Sequence, residues 1–131
     1  MDELPIGAGE DVVRVRQHVR VAAAGMGMSL VDQTKVVTAA SELARNTLIH
    51  GGGGAVRIEQ VTSAVGRAGI RIVFRDDGPG IADVDLALTD GWTSGSGLGL
   101  GLSGARRLVD EFDLTSQPGA GTSVVVTKWS R

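Results

Sequence analysis

The stretch AVRIEQVTSAVGRAGIRIVFRDDGPGI, residues 55–81, decides the fold class. Apolar and polar residues alternate through AVRIEQVTS and again through GIRIVFRD, the period of a strand with one buried face. Gly66 lies between the two runs and supplies a turn, so they read as a hairpin. The run DDGPG must then break the chain. A second strand pair closes the sequence in FDLTSQPGAGTSVVVTKW, folded around Pro118-Gly119. Two consecutive strand pairs argue against a doubly wound parallel sheet and favour a mainly antiparallel one with helices stacked on one face.

Those helices are legible on either side of the hairpin. After a short extended piece in LPIGAG, Glu10 and Asp11 open a helix whose Val12, Val15, Val19 and Ala23 recur at helical spacing, and Gly25 or Gly27 stops it. A second helix is expected to start near Asp32 as its N-cap and to run QTKVVTAASELARNTLIH into four glycines, 51–54, which end it and admit the next strand. A weak helical turn is expected in DVDLAL, and GLSGARRLVDEF reads as a third helix. The order is helix, helix, strand, strand, loop, helix, strand, strand.

Composition sets the outer limits. At 131 residues the chain has the size of one domain, and 42% hydrophobic with 21% charged residues describes a globular protein. Thirteen basic against fifteen acidic residues leave a net charge of −2 without a basic block, which gives no footprint for nucleic acid. There is no cysteine, so disulfides, thiolate metal sites and a cysteine nucleophile are excluded. No apolar run approaches ~18 residues, so no membrane partner is expected and a cytoplasmic location is the default. Twenty glycines against three prolines is the one oddity, and most of those glycines are clustered.

Three places carry candidate chemistry. Glu42 and Asn46 stand four apart on one helix face, an oxygen pair suited to a hard cation such as magnesium. Asp76-x-Gly78-x-Gly80 ends a strand with a carboxylate at the mouth of a close backbone approach. An ionised carboxylate only accepts hydrogen bonds, which suits the exocyclic amine of adenine, where guanine presents an acceptor. In TSGSGLGLGLSG, residues 93–104, glycines 95, 97, 99 and 101 free N–H groups to converge on an anion ahead of a helix N-terminus. Leu98, Leu100 and Leu102 would pin the base of that loop, making it a hinged lid; no Walker Gly-Lys-Ser/Thr follows. Each place alone also suits a plain surface: a solvated Glu–Asn pair, an Asp-Gly-Pro-Gly turn, a glycine-rich loop.

Taken in order and spacing, ELARN, DDGPG and GSGLGLGL resemble the N, G1 and G2 boxes of the GHKL ATPase/kinase superfamily. The wider features VDQTKVVTAASELARNTLIHGGGG, IEQV, DDGPGI, DGWTSG, GLGLGLSGARRLVDEFDL and GTSVVVTKW resemble the RsbT-type serine/threonine kinases of bacterial stress signalling, from about Asp11 onward. The resemblance implies a Bergerat fold, a two-layer α/β sandwich with a mixed, mainly antiparallel sheet, over a single domain spanning residues 1–131. It implies Glu42 as the general base and Asn46 as the magnesium ligand. Asp76, Gly78, Gly80, Ile81 and Thr122 would form the adenine pocket. Thr93, Ser94, Gly95, Gly97, Leu98, Gly99, Leu100 and Gly101 would cover the phosphates of ATP. The implied partners are a STAS-domain substrate (RsbS- or RsbR-like) and a PP2C-type phosphatase (RsbU-like) that the released kinase activates. Two other readings are an ATP-controlled binding switch and an RsbW-like anti-sigma factor; an intact Glu42 favours catalysis. No dimerisation segment with a phosphorylatable histidine accompanies the boxes, which argues against a complete sensor histidine kinase. His18 and His50 are expected at a surface or helix end, and Trp129 in packing.

Overall fold

A computed structural model describes residues 2–81, 84, 88 and 98–131. Its elements run β1 (Asp2–Ile6), α1 (Gly9–Gly25), α2 (Leu30–Ile49), β2 (Gly54–Thr62), β3 (Ala68–Asp76), α3 (Leu98–Leu108), β4 (Glu111–Ser116) and β5 (Thr122–Trp129). The helical turn expected in DVDLAL falls largely outside the described residues.

The two hairpins form as the alternation predicts. In the first, Val56 faces Phe74 and Ile58 faces Ile72, while Gly66, at φ +83°, turns the chain. In the second, Leu114 faces Val124 and Phe112 faces Val126, with Gly119 at φ +77°. β3 then pairs with β5, so the sheet order is β1-β2-β3-β5-β4, antiparallel at every pairing. β1 and β4 are the edges.

One face of this sheet is apolar because period-two residues coincide across all five strands. Ile6, Val56, Ile72, Phe74, Val124 and Val126 are buried there with the inner stripes of the helices. Each large apolar side chain so buried contributes roughly 1.5–3 kcal/mol. Alpha 2 lies between α1 and α3. The opposite face carries Arg57, Glu59, Arg71 and Arg75, the alternate residues of β2 and β3.

Helix starts are set by short polar side chains. The Asp11 carboxylate accepts the N–H groups of Gly7 (2.8 Å) and Ala8 (3.0 Å), satisfying donors that open α1. The N-cap of α2 is Ser29, whose Oγ accepts the Asp32 N–H at 3.1 Å. Asp32, the expected cap, therefore sits in the first turn, three residues past the cap that forms. Its carboxylate is engaged elsewhere: Lys128, only 4% exposed at the far end of β5, has its Nζ 3.5 Å from both Asp32 and Asp110. Asp110 also accepts from Arg131 (2.6 Å) and from the Trp129 N–H (2.7 Å). The Trp129 indole donates to Glu111 at 2.9 Å, and its ring lies where a Cβ on Gly69 would stand. Trp129 thus packs, as expected, across its neighbouring strand.

Candidate nucleotide site

The end of the sheet opposite Lys128 is a row of short or polar residues in register: Gly54 beside Asp76, Asp76 beside Thr122, Thr122 beside Ser116. Above it stand the C-terminal turn of α2 and the first turns of α3. Between them lies a pocket of ≈ 440 Å³, counting the solvent at its mouth, whose walls include Asn46, Asp76, Gly80, Ile81 and Thr122. Residues separated by up to 81 positions thus converge, with Phe74, Leu43, Leu102 and Val124 forming an apolar floor.

Glycines make the polar end of this pocket possible. Asp76 Oδ1 accepts the Gly78 N–H at 2.9 Å, which turns the carboxylate inward. A Cβ on Gly51 would stand 2.4 Å from Asp76 Cγ, and one on Gly78 would stand 2.7 Å from the Gly51 carbonyl oxygen. Gly80, at φ +76°, presses against the Gln117 carbonyl, where a Cβ would approach to 2.0 Å. The loop after β3 is therefore welded to the β4–β5 turn, and the Gly119 N–H donates to the Pro79 carbonyl at 2.7 Å to close the joint. Gly51 was read from sequence only as a helix stop; its contact with Asp76 could not be seen without the fold.

Asn46 projects from α2 toward Gly101 of α3, where a Cβ would stand 3.0 Å from its Nδ2 and 3.1 Å from its Oδ1. Nδ2 is buried and has no hydrogen-bond partner among the described residues. An amide left uncommitted at the pocket wall fits a ligand that supplies the missing contacts, and a half-turn presents its oxygen instead. Glu42 lies one turn earlier on α2 and is not part of this wall. It lines a neighbouring groove between α1 and α2 with Arg16, Arg20 and Arg45, its Oε1 3.1 Å from Arg45. Thr93, Ser94, Gly95 and Gly97 lie outside the described residues, and Leu98, Gly99 and Leu100 are described only as the start of α3.

Two residues have a place at the pocket that the sequence reading does not give them: His50, expected only at a surface or helix end, and Ser116, which lies beside the pocket and is absent from that reading. His50 caps the C-terminus of α2 and lines the pocket, where burial holds its imidazole below the usual histidine pKa. Ser116 Oγ accepts the Ile81 N–H at 2.8 Å and lies 2.9 Å from Thr122 Oγ1 and 3.0 Å from the Gly121 carbonyl oxygen. A serine in TSQPGAG carries only a turn signal, so its role was hidden.

An α/β sandwich of this topology, with its pocket between the sheet end and two helices, defines a class. Residues 31–130 match the histidine kinase-, DNA gyrase B- and HSP90-like ATPases, and the chain belongs to that family. The fold alone is shared with solved structures. The RsbU and RsbW domains of a Mycobacterium tuberculosis protein superpose with a TM-score of 0.62 at 22% identity, over all of this chain and 33% of that one. The catalytic domain of the histidine kinase ThkA gives a TM-score of 0.53 at 16% identity, over 99% of this chain and 97% of that one. In sequence, the serine/threonine-protein kinase RsbT of Bacillus subtilis is 45% identical over 121 residues, 92% of this chain and 90% of the relative. An anti-sigma F factor of Thermoanaerobacter is 29% identical over 87% of this chain and 82% of its own length. Within the family the chain therefore falls among the RsbT-type serine/threonine-protein kinases, which use ATP. No helix among the described residues is long and apolar enough to cross a membrane.

Proposed function

We propose that this chain transfers the γ-phosphoryl group of ATP to a serine or threonine hydroxyl of a separate STAS-type protein, as the kinase of a bacterial partner-switching stress pathway. The observation that carries this reading is the convergence of Asn46, Asp76, Gly80, Ile81 and Thr122 on one pocket. Asp76 and Thr122 would hold the adenine edge, and Ile81 would lie beside the base. Asn46 would hold a magnesium ion, which neutralises phosphate charge when bound. Among the described residues no cluster of three or more histidine, aspartate or glutamate side chains stands ready for a metal. A magnesium held by Asn46 would therefore complete its shell with water and phosphate oxygens, as this ion commonly does.

Glu42 would act as the general base, taking the proton of the acceptor hydroxyl. Its groove between α1 and α2, one helical turn from Asn46, offers that hydroxyl an approach from outside the nucleotide pocket. The glycines between Thr93 and Gly101 would close over the phosphates. After phosphorylation the released kinase would engage and activate a PP2C-type phosphatase, in the cytoplasm. Phosphoryl transfer depends mainly on positioning and charge neutralisation, so this small set of groups suffices chemically.

The test is transfer from radiolabelled ATP to candidate STAS partners, with the product's phosphate assayed for acid stability. Phosphoserine or phosphothreonine is the expected product; acid-labile phosphohistidine would overturn the assignment. The similarity to anti-sigma F factors supports a second reading, direct capture of a sigma factor. Co-purification before and after ATP addition separates the two by what the tagged chain retains.

A further inference from the structure

We infer that Ser116, which is outside the pocket wall, sets the base selectivity of the pocket by fixing the direction of the Thr122 hydroxyl. This rests on the adenine reading of the pocket proposed above. A serine hydroxyl has one proton and two acceptor lone pairs. Ser116 Oγ has three neighbours, the Ile81 N–H at 2.8 Å, Thr122 Oγ1 at 2.9 Å and the Gly121 carbonyl oxygen at 3.0 Å. The amide of Ile81 can only donate and the carbonyl of Gly121 can only accept. Ser116 must therefore give its single proton to Gly121 and accept from both Ile81 and Thr122. This is the only assignment that satisfies all three contacts.

The consequence falls on Thr122. Its own proton is committed to Ser116, so it has only lone pairs left for the pocket that it lines. Asp76 stands directly opposite Thr122 across β3 and β5, with Oδ1 already accepting from Gly78. At the Asp76–Thr122 pair the side chains then offer the pocket acceptors alone. This pair receives a base edge that carries an amine and repels one that carries a carbonyl oxygen. Ser116 is a positioning residue, acting on the base through Thr122 and through the Ile81 backbone.

The experiment compares equilibrium binding of ATP with that of inosine triphosphate, in which a carbonyl oxygen replaces the adenine amine. In the wild-type chain ATP is bound in preference. Ser116→Ala frees the Thr122 proton to point into the pocket, so ATP weakens while inosine triphosphate strengthens. The preference should narrow by roughly three- to tenfold, the worth of one net hydrogen bond. Adding Thr122→Val removes the freed hydroxyl and should abolish the gain for inosine triphosphate. Ser116→Cys, with a thiol that hydrogen-bonds weakly, gives the same narrowing where the alanine variant does not fold. A merely structural role would weaken both nucleotides in proportion. An unchanged preference in the Ser116 variants, or a gain that survives Thr122→Val, overturns the relay and leaves the pocket's assignment standing. A wild-type chain that binds neither nucleotide overturns the adenine reading itself, and the relay with it.

Discussion

Asp76 lines the pocket, and its Oδ1 accepts the Gly78 N–H. Replacing Asp76 with asparagine puts an NH₂ donor where the adenine amine needs an acceptor, so Asp76→Asn should lose most ATP affinity in titration calorimetry. Equal binding of ATP and GTP by the wild type would contradict this account. Gly51→Ala tests the same carboxylate from behind, since its Cβ would fall 2.4 Å from Asp76 Cγ and force the side chain to move. ATP binding should drop although the substitution itself changes no charge. Glu42 calls for a different readout. Glu42→Gln should keep nucleotide binding and lose transfer by about 10²–10⁴-fold in single-turnover assays, the usual range for a general base. Wild-type transfer by that variant would remove Glu42 from the role of general base. The residues that sequence reasoning reached here are those whose chemistry is written in their type, a carboxylate or a Gly-x-Gly. Ser116 and Gly51 escaped it because their partners lie 35 and 25 positions away in Ile81 and Asp76.

At the scale of elements, helices and strands were legible wherever a period was long and clean, as in α1, β2 and β3. The start of α2 was not, because Ser29 and Asp32 are both good caps and only the Oγ contact with the Asp32 N–H decides between them. Ser29→Ala should therefore destabilise the fold by ~1 kcal/mol in urea titration. The far end of the same helix has a pH signature. Burial lowers the pKa of His50, so between its folded and unfolded values the unfolded chain holds the extra proton. The stabilising contribution of neutral His50 is present above the unfolded value, about 6.5, and is lost as pH falls through the folded value. Urea midpoints should decline on acidification across that window, and His50→Gln should remove this part of the decline. An identical pH profile in the variant would rule out His50 as the source.

For the whole molecule, the strand order could not be read from the sequence, since adjacent strands in space need not be adjacent in the chain. Alternation predicts two hairpins but says nothing of which edges meet. The joining of β3 to β5 is settled by packing, where Ile72 faces Val126 and Phe74 faces Val124 over one core. At the other end, Lys128 ties β5 to the first turn of α2 through Asp32 and to the α3–β4 connection through Asp110. Lys128→Ala leaves Asp32 uncompensated and takes one of Asp110's three partners at a largely buried site. Its expected loss is on the order of 3 kcal/mol, read as a lower urea midpoint with the slope retained.

The seam between the two hairpins also has a kinetic consequence. Each hairpin closes locally, but β3 and β5 must find each other across more than forty residues, from Asp76 to Thr122. That is the late, entropically demanding kind of closure. Asp76 and Thr122 are themselves the last pair of that seam, so a nucleotide gripping both would act as a rivet across it. A partly assembled chain with separate hairpins would have nothing to grip. Bound ATP should therefore slow global unfolding far more than it speeds refolding, and a chain still emerging from synthesis would ignore ATP until the second hairpin docks.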